Sequence, residues 1–249
     1  MIYLVIPCFN EAKRLQISYW EEIISSPNLG ETKFLFVDDG SLDGTYEILN
    51  RFIKHGRVEA ISLAVNMGKA NAIRLAFQKI LETSFFDCDL IGFIDSDSAF
   101  DAQEVIDILS SLENQSKHFD AFFFSRVKLS GSKIKRSEIR HFISRIIYTY
   151  IARGWSWAPY DTQCGFKFFR NSGVVTEVIS TPFRTRWFFD IEFMNRLSVR
   201  MGNPLNIKEI PLHYWQERTE SKIRTRQYLS IFREIIIARR LVKQMSNFN

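Results

Sequence analysis

Three cysteines, Cys8, Cys88 and Cys164, are all that a chain of 249 residues contains. They cannot all pair with one another and their spacing fits no metal site, so a disulfide framework is excluded and a reducing compartment is expected. The histidines, His55, His118, His141 and His213, are scattered without ligand spacing, which removes the other common route to zinc. No apolar run approaches the length of a membrane span. The apolar start from Ile2 to Ile6 is too short for a secretory signal and passes directly into Pro7 and polar residues. Internal repeats and low-complexity stretches are missing. So are a G-x-G-x-x-G after the first strand and a P-loop, and neither a dinucleotide-binding oxidoreductase nor a P-loop enzyme is expected.

What is present suffices for one good core, a main domain with at most an appended lobe, and 23 Phe to fill it. Charge is divided unevenly. Residues 1–125 carry 10 Lys/Arg against 19 Asp/Glu, and residues 126–249 carry 23 against 9. An acidic first half suits a cation and a basic second half suits an anionic partner, the alternative being a solvated basic surface with no partner. No nucleic-acid motif accompanies the positive charge, so nucleic acid is not expected.

Strands and amphipathic helices alternate four times with short polar turns. Strands are predicted from Tyr3 to Ile6, Lys33 to Val37 and Val58 to Ala64, and again in the apolar run that ends at Asp95-Ser96-Asp97. The helices between them begin at Ala12, after Ser41 or Asp43, and after Lys69. The pattern is α/β, a mostly parallel, Rossmann-like sheet with helices on both faces, in which ligands bind at the carboxyl ends of the strands. Asp38, Asp39, Asp95 and Asp97 all sit at that edge, a costly concentration of like charge unless a cation or hydrogen-bond donors compensate it. Alternation along an extended chain puts Asp95 and Asp97 on one side, where both can face one Mg²⁺ or Mn²⁺. The alternative is that Asp97, Ser98 and Asp101 cap the next helix, and Asp101 with Glu104 reads as a capping box.

Taken together the motifs resemble a family 2 glycosyltransferase with the GT-A fold, over nearly the whole chain. Pro7-Cys8-Phe9-Asn10-Glu11 resembles the family's Pro-x-Tyr-Asn-Glu, Val37-Asp38-Asp39-Gly40-Ser41 its Val-Asp-Asp-Gly-Ser, Asn66-Met67-Gly68-Lys69 its Asn-x-Gly-Lys, and Asp95-Ser96-Asp97 its Asp-x-Asp. Phe9 stands for the usual Tyr, and Ala70 stands where Gly is common. In the second half, Phe124-Ser125-Arg126, the stretch from Asp161 to Lys167, Trp187-Phe188-Phe189-Asp190-Ile191-Glu192, and Glu209-Ile210-Pro211 followed by Ser221-Lys222 resemble signatures of the dolichyl- and polyprenyl-phosphate sugar transferases, the glucosyl branch best. By that resemblance Pro7, Phe9, Glu11 and Asp39 would hold the nucleoside with Lys69 nearby. Asp95, Ser96 and Asp97 would hold the diphosphate through the metal, and transfer would invert the anomeric carbon. UDP-glucose is the donor implied. These relatives usually carry membrane helices, which this sequence lacks.

Residues 1–125 thus read as the donor-binding half, 126–226 as the acceptor-binding half of the same domain, and 227–249 as a basic amphipathic helix. The stretch from Arg126 to Arg153 contains Ile139, Phe142, Ile143, Ile146, Ile147, Tyr150 and Ile151 at close helical spacing, flanked by Arg136, Arg140 and Ser144. Such a helix either packs on its own core or lies in a membrane interface. Attachment to an anionic membrane surface without a span is the expectation, on the cytoplasmic inner face. A polyprenyl phosphate acceptor is already anionic and needs holding, for which Arg126, Arg140, Ser144 and Lys222 are candidates. A sugar hydroxyl of a surface polysaccharide or glycolipid is the alternative acceptor and needs a general base, for which Asp161 is the candidate, with Gln163 beside it in the catalytic set. A non-catalytic nucleotide-sugar binding module is the remote alternative.

Overall fold

The computed structural model describes residues 1–112, 118–218 and 228–246. Its first half follows the alternating pattern. β1 (Ile2–Cys8), β2 (Thr32–Asp38), β3 (Val58–Ser62) and β4 (Leu90–Ile94) run parallel in the order β3-β2-β1-β4. α1 (Ile17–Ser25), α2 (Thr45–Leu49) and α3 (Lys69–Ser84) connect them, and α4 (Ala102–Leu112) follows β4. Alternation along each strand feeds two apolar layers. Tyr3, Val5, Leu35, Val37, Ile91 and Phe93 pack with α3 on one face. Ile2, Leu4, Ile6, Phe34, Phe36 and Ile94 pack with α1 and α4 on the other.

The second half does not add a separate sheet. β5 (Ala121–Ser125) is separated from β4 by β7 (Phe166–Arg170), which is antiparallel to both. β8 (Ile207–Pro211) lies parallel to β5 and completes a 7-stranded sheet ordered β3-β2-β1-β4-β7-β5-β8. β6 (Lys133–Lys135) and β9 (Tyr214–Gln216) form a small parallel pair beside it. α6 (Gly173–Val178) and α7 (Phe189–Met201) cover the α3 face. α8 (Tyr228–Met245) packs on α7 and on α5 (Glu138–Ala152) and buries Ala238, Val242 and Met245 completely.

Three local departures from the sequence expectation matter for the site. α1 begins at Ile17 rather than at Ala12, because Glu11 holds a turn in which its carbonyl accepts from Arg14 and Leu15 N–H at 2.9 and 2.8 Å. That turn keeps Phe9 to Arg14 at the sheet edge. Asp101 carries out the helix cap at α4, accepting from Glu104 N–H at 3.0 Å, but the Glu104 carboxylate turns away to accept from His213 and Tyr214 N–H, so the box is only half formed. And α5 does not pack its apolar face on the core: of its residues only Ile151 is buried. Among the described residues no helix is long and apolar enough to cross a membrane.

Candidate active site

The carboxyl ends of β1, β2 and β4, the start of α3 and the segment leading into α7 surround a cavity of about 1240 Å³. Pro7, Phe9, Glu11, Asp39, Lys69, Asp95, Ser96, Asp97 and Gln163, all singled out from the sequence, line this one space. That is a large volume beside the ~300–1,000 Å³ of an ordinary small-molecule site, enough for two substrates.

The Asp-x-Asp segment is fixed from a helix on one face of the sheet and from the neighbouring strand within it. Trp20 of α1 donates its indole N–H to the Ser96 carbonyl at 3.3 Å, and Asp95 N–H donates to the Gly165 carbonyl at 3.0 Å. Gly165 is required there, since a Cβ would collide with the Asp95 carboxylate. Asp97 uses Oδ1 to accept from Ala99 N–H at 3.1 Å and still lines the cavity, while the cap itself belongs to Asp101. Burial, then the neighbouring Asp95 charge, pushes Asp97 up to about 6. Lys69, at the first turn of α3, reaches Asp95 Oδ1 at 2.5 Å. Burial pulls the Lys69 ammonium down, but Asp95 and then Asp190 more than offset this and hold it above its ordinary range.

Asp39 builds the neighbouring turn. It accepts from Asn66 Nδ2 at 3.0 Å, Met67 N–H at 2.7 Å and Gly68 N–H at 2.8 Å, so the Asn-x-Gly-Lys segment is folded around this carboxylate. Burial leaves Asp39 above the usual carboxylate range despite the Met67 and Gly68 hydrogen bonds. Gly40 adopts φ 69° with the Val65 backbone so near that a Cβ would lie 2.6 Å from its carbonyl carbon. Glu11, buried at the rim, pairs with Arg14 at 2.6 Å.

The acceptor set expected from the sequence is placed differently. Arg126 and Asp161 are absent from the cavity wall and form a bidentate pair, Nε to Oδ2 at 2.7 Å and Nη2 to Oδ1 at 2.9 Å. Arg126 N–H and Gln163 N–H complete four bonds to that carboxylate. Burial would raise Asp161, but the Arg126 charge and hydrogen bonds override it and hold the group down to about 2. A carboxylate so stabilised is a poor base at neutral pH, so the general-base expectation for Asp161 is corrected to a positioning role. Arg126, committed to Asp161 and lying over the Trp215 ring, is likewise part of a structural knot rather than a free phosphate ligand. Arg140 pairs with Glu217 at 2.6 Å and Ser144 is exposed on α5; neither lines the cavity. Lys222 lies outside the described residues.

The cavity also uses residues outside that set. Arg186 and Arg218 line it, Arg186 against Gly68 and Arg218 donating to the Ser98 carbonyl. Asp190 lines it too and pairs with the buried Lys167 at 2.8 Å. Its neighbour Glu192 is structural, accepting from Arg184 and Thr185 N–H and pairing with Arg196 at 2.7 Å. The two acids diverge on the helix, and the rotation of α7 against β7 turns Asp190, not Glu192, to the cavity.

Asp95 and Asp97 are the residues that can hold a divalent cation. Among the described residues no cluster of three or more His, Cys, Asp or Glu offers an alternative. Two carboxylates with the rest of the shell left to water and phosphate is the donor set Mg²⁺ commonly takes. Burial raises Asp97 first and the Asp95 charge second, and a cation beside both carboxylates would favour their ionised forms.

A family model described as Glycosyl transferase family 2 matches residues 3–175. The dolichyl-phosphate beta-glucosyltransferase of Saccharomyces cerevisiae is 26% identical over 88% of this chain and 68% of its own length. A dolichyl-phosphate beta-glucosyltransferase of Trichomonas vaginalis is 27% identical over 88% of the chain, which spans only 65% of that relative. The crystal structure of glucosyl-3-phosphoglycerate synthase from Mycobacterium tuberculosis with Mn²⁺, uridine diphosphate and phosphoglyceric acid superposes with a TM-score of 0.65 at 19% identity, covering 98% of this chain and 78% of that one. The mixed α/β sheet flanked by helices is therefore the GT-A architecture that the motifs implied.

Proposed function

The chain belongs to glycosyltransferase family 2, and from that premise we propose that it moves glucose from UDP-glucose to a polyprenyl or dolichyl phosphate with inversion at the anomeric carbon. The observation that carries the reading is the convergence of Asp39, Lys69, Asp95, Asp97, Arg186 and Arg218 on one cavity. Its acids would hold a metal-bound diphosphate and its cations an anionic acceptor. Names of the relatives supply the sugar and the lipid phosphate. Mn²⁺ and uridine diphosphate, present in the structural relative, supply the class of donor and cofactor.

In this reading Pro7, Phe9 and Glu11 bound the nucleoside end of the cavity, and the turn built on Asp39 shapes it. Asp95 and Asp97 would hold Mg²⁺ or Mn²⁺, which would supply positive charge for the departing diphosphate. Lys69 adds a positive charge beside the same acids. Gln163 projects at the wall, positioned by its own N–H on Asp161. Arg186 and Arg218 hold the acceptor phosphate, with Arg140 and Ser144 farther out on α5 along its approach.

The state of the wall carboxylates supports a phosphate over a hydroxyl acceptor. A hydroxyl needs a base, yet on the wall Asp190 is paired with Lys167 and Glu11 with Arg14, and outside the wall Asp161 is paired with Arg126. A lipid phosphate is anionic already. Such an acceptor would bring the reaction to a membrane surface. The experiment is incubation with a panel of nucleotide sugars, Mn²⁺, a short polyprenyl phosphate and a competing glycan, with mass spectrometry of the products. A hexosyl phosphopolyprenol from UDP-glucose is expected. Glucose appearing only on glycan hydroxyls, with the lipid phosphate unchanged, would replace this acceptor by the hydroxyl one.

A further inference from the structure

α5 shows to solvent what a helix of a folded domain normally buries. Ile139 is 74% exposed, Phe142 67%, Ile143 51%, Ile146 55% and Tyr150 55%. At 3.6 residues per turn they fall within an arc of roughly 100°, an unbroken apolar stripe. α8, which packs against α5, continues it with Phe232 at 65% and Ile236 at 37%, one turn apart on one face. Large apolar side chains scattered singly on a surface need no explanation, but a stripe shared by two adjoining helices marks a place where something docks.

The charges around the stripe say what. Lys133 and Lys135 precede α5 and are exposed; Arg233, Arg240 and Lys243 are exposed on α8. The acidic residue on α5 is Glu138, in its first turn. Residues 126–249 carry 23 Lys/Arg against 9 Asp/Glu, while residues 1–125 carry an acidic excess, so both helices belong to the basic half of the chain. An apolar face rimmed by cations on a 15-residue helix that itself contains Arg140, His141 and Arg145 is too short and too charged to span a bilayer and well suited to lie in its interface.

We propose that the outer faces of α5 and α8 form one membrane-docking surface for bilayers with anionic headgroups. The placement serves the site. The inner side of α5 is bonded to the loop that carries Gln163: Arg145 Nη1 donates to the Tyr160 carbonyl at 2.8 Å and Tyr148 OH donates to the Pro159 carbonyl. A bilayer on the outer side therefore lies about one helix diameter, ~10 Å, from that loop. The surface deepens the lipid-acceptor reading and rests on it for its purpose, while its evidence is the exposed stripe itself.

The test is co-sedimentation of the whole chain with vesicles of phosphatidylcholine alone or with phosphatidylglycerol at 30 mol% (about one in three lipids, enough to give an anionic surface), alongside donor hydrolysis with Mn²⁺ in the absence of lipid. Binding to the anionic vesicles only is expected, with the double variant Phe142→Glu, Ile146→Glu at least tenfold weaker and its donor hydrolysis unchanged. A Phe142→Trp variant should show a blue-shifted emission on the same vesicles, quenched by brominated acyl chains. Wild-type protein that stays in solution at low salt while hydrolysing UDP-glucose overturns the docking surface and leaves the transferase reading standing. Equal vesicle binding by wild type and double variant also overturns it, as does light scattering that shows a dimer which Phe142→Glu dissociates.

Discussion

Asp95, Asp97 and Lys69 form a charge triad whose balance decides what the cavity can bind. Lys69 touches Asp95 at 2.5 Å, and Asp97 is pushed up to about 6 by burial and by Asp95. The ammonium thus occupies one oxygen that a divalent ion would share. Lys69→Met should raise Mn²⁺ affinity on the order of tenfold, the factor carried by about 1.4 kcal/mol of charge-assisted contact, read by electron paramagnetic resonance titration without substrate. Unchanged or weaker Mn²⁺ binding would show that the lysine does not compete. Asp97→Asn should lower turnover by on the order of 10²-fold, comparable to removing one preorganised charge-stabilising group; near-normal turnover at saturating metal would count against the role given to it. The acids were legible in the sequence because a strand end and a two-residue spacing fix their side. Their counter-ion was not, because Lys69 comes from the start of a different helix, and only the sheet order brings it opposite Asp95.

At the scale of elements the decisive piece is β7 and the loop before it. β7 enters the sheet antiparallel between β4 and β5, with Gly165 against Asp95, Lys167 against Asp190, and Asp161 in the Arg126 knot. The alternating pattern of the first half made four parallel strands readable, but nothing in Phe166 to Arg170 states that the strand reverses direction. Its buried Lys167 even argues against a central strand until Asp190 is brought from α7 and the Phe93 and Phe123 rings are placed beneath the ammonium. For the same reason Asp161 was read as a base. A motif reveals that an acid is present; its pKa depends on a partner 35 residues away. Arg126→Ala strands that buried carboxylate and should cost about 3–5 kcal/mol of stability at neutral pH, measured by urea unfolding. The sign with pH follows from the depressed group. Asp161 is held near 2 in the folded chain, below the ~3.9 of an unfolded Asp, so its contribution is complete above about 4 and is lost as pH falls toward 2. Wild type should lose stability steeply through that window and Arg126→Ala should not; parallel acid profiles would contradict the pair's role.

For the whole molecule, residues 125 and 226 do not separate folding units, because one sheet and one core run across both positions. A chain cut after 125 retains β4 and β5 but loses the strand between them. A chain cut after 226 loses Ala238, Val242 and Met245, each fully buried in the layer that also holds Phe77, Phe93 and Phe193. It also loses Glu234, whose carboxylate accepts from Arg186 and Trp187 N–H at 2.9 and 2.7 Å and so holds the segment that presents Arg186 to the cavity. Burying a side chain the size of Val or Met contributes roughly 1.5–3 kcal/mol, against a total of about 5–15 kcal/mol for a folded domain. Removing α8 therefore takes away a large share of the margin and frees a cavity-lining cation at the same time. The whole chain should unfold in one cooperative transition in urea, with fluorescence and circular dichroism coincident. Residues 1–125 alone should show none, and residues 1–226 should melt far lower and lose UDP binding in proportion. Two separated transitions, or a residue 1–226 fragment as stable as the parent, would mean that α8 is an appendage carrying the membrane surface rather than a wall of the core that also positions the site.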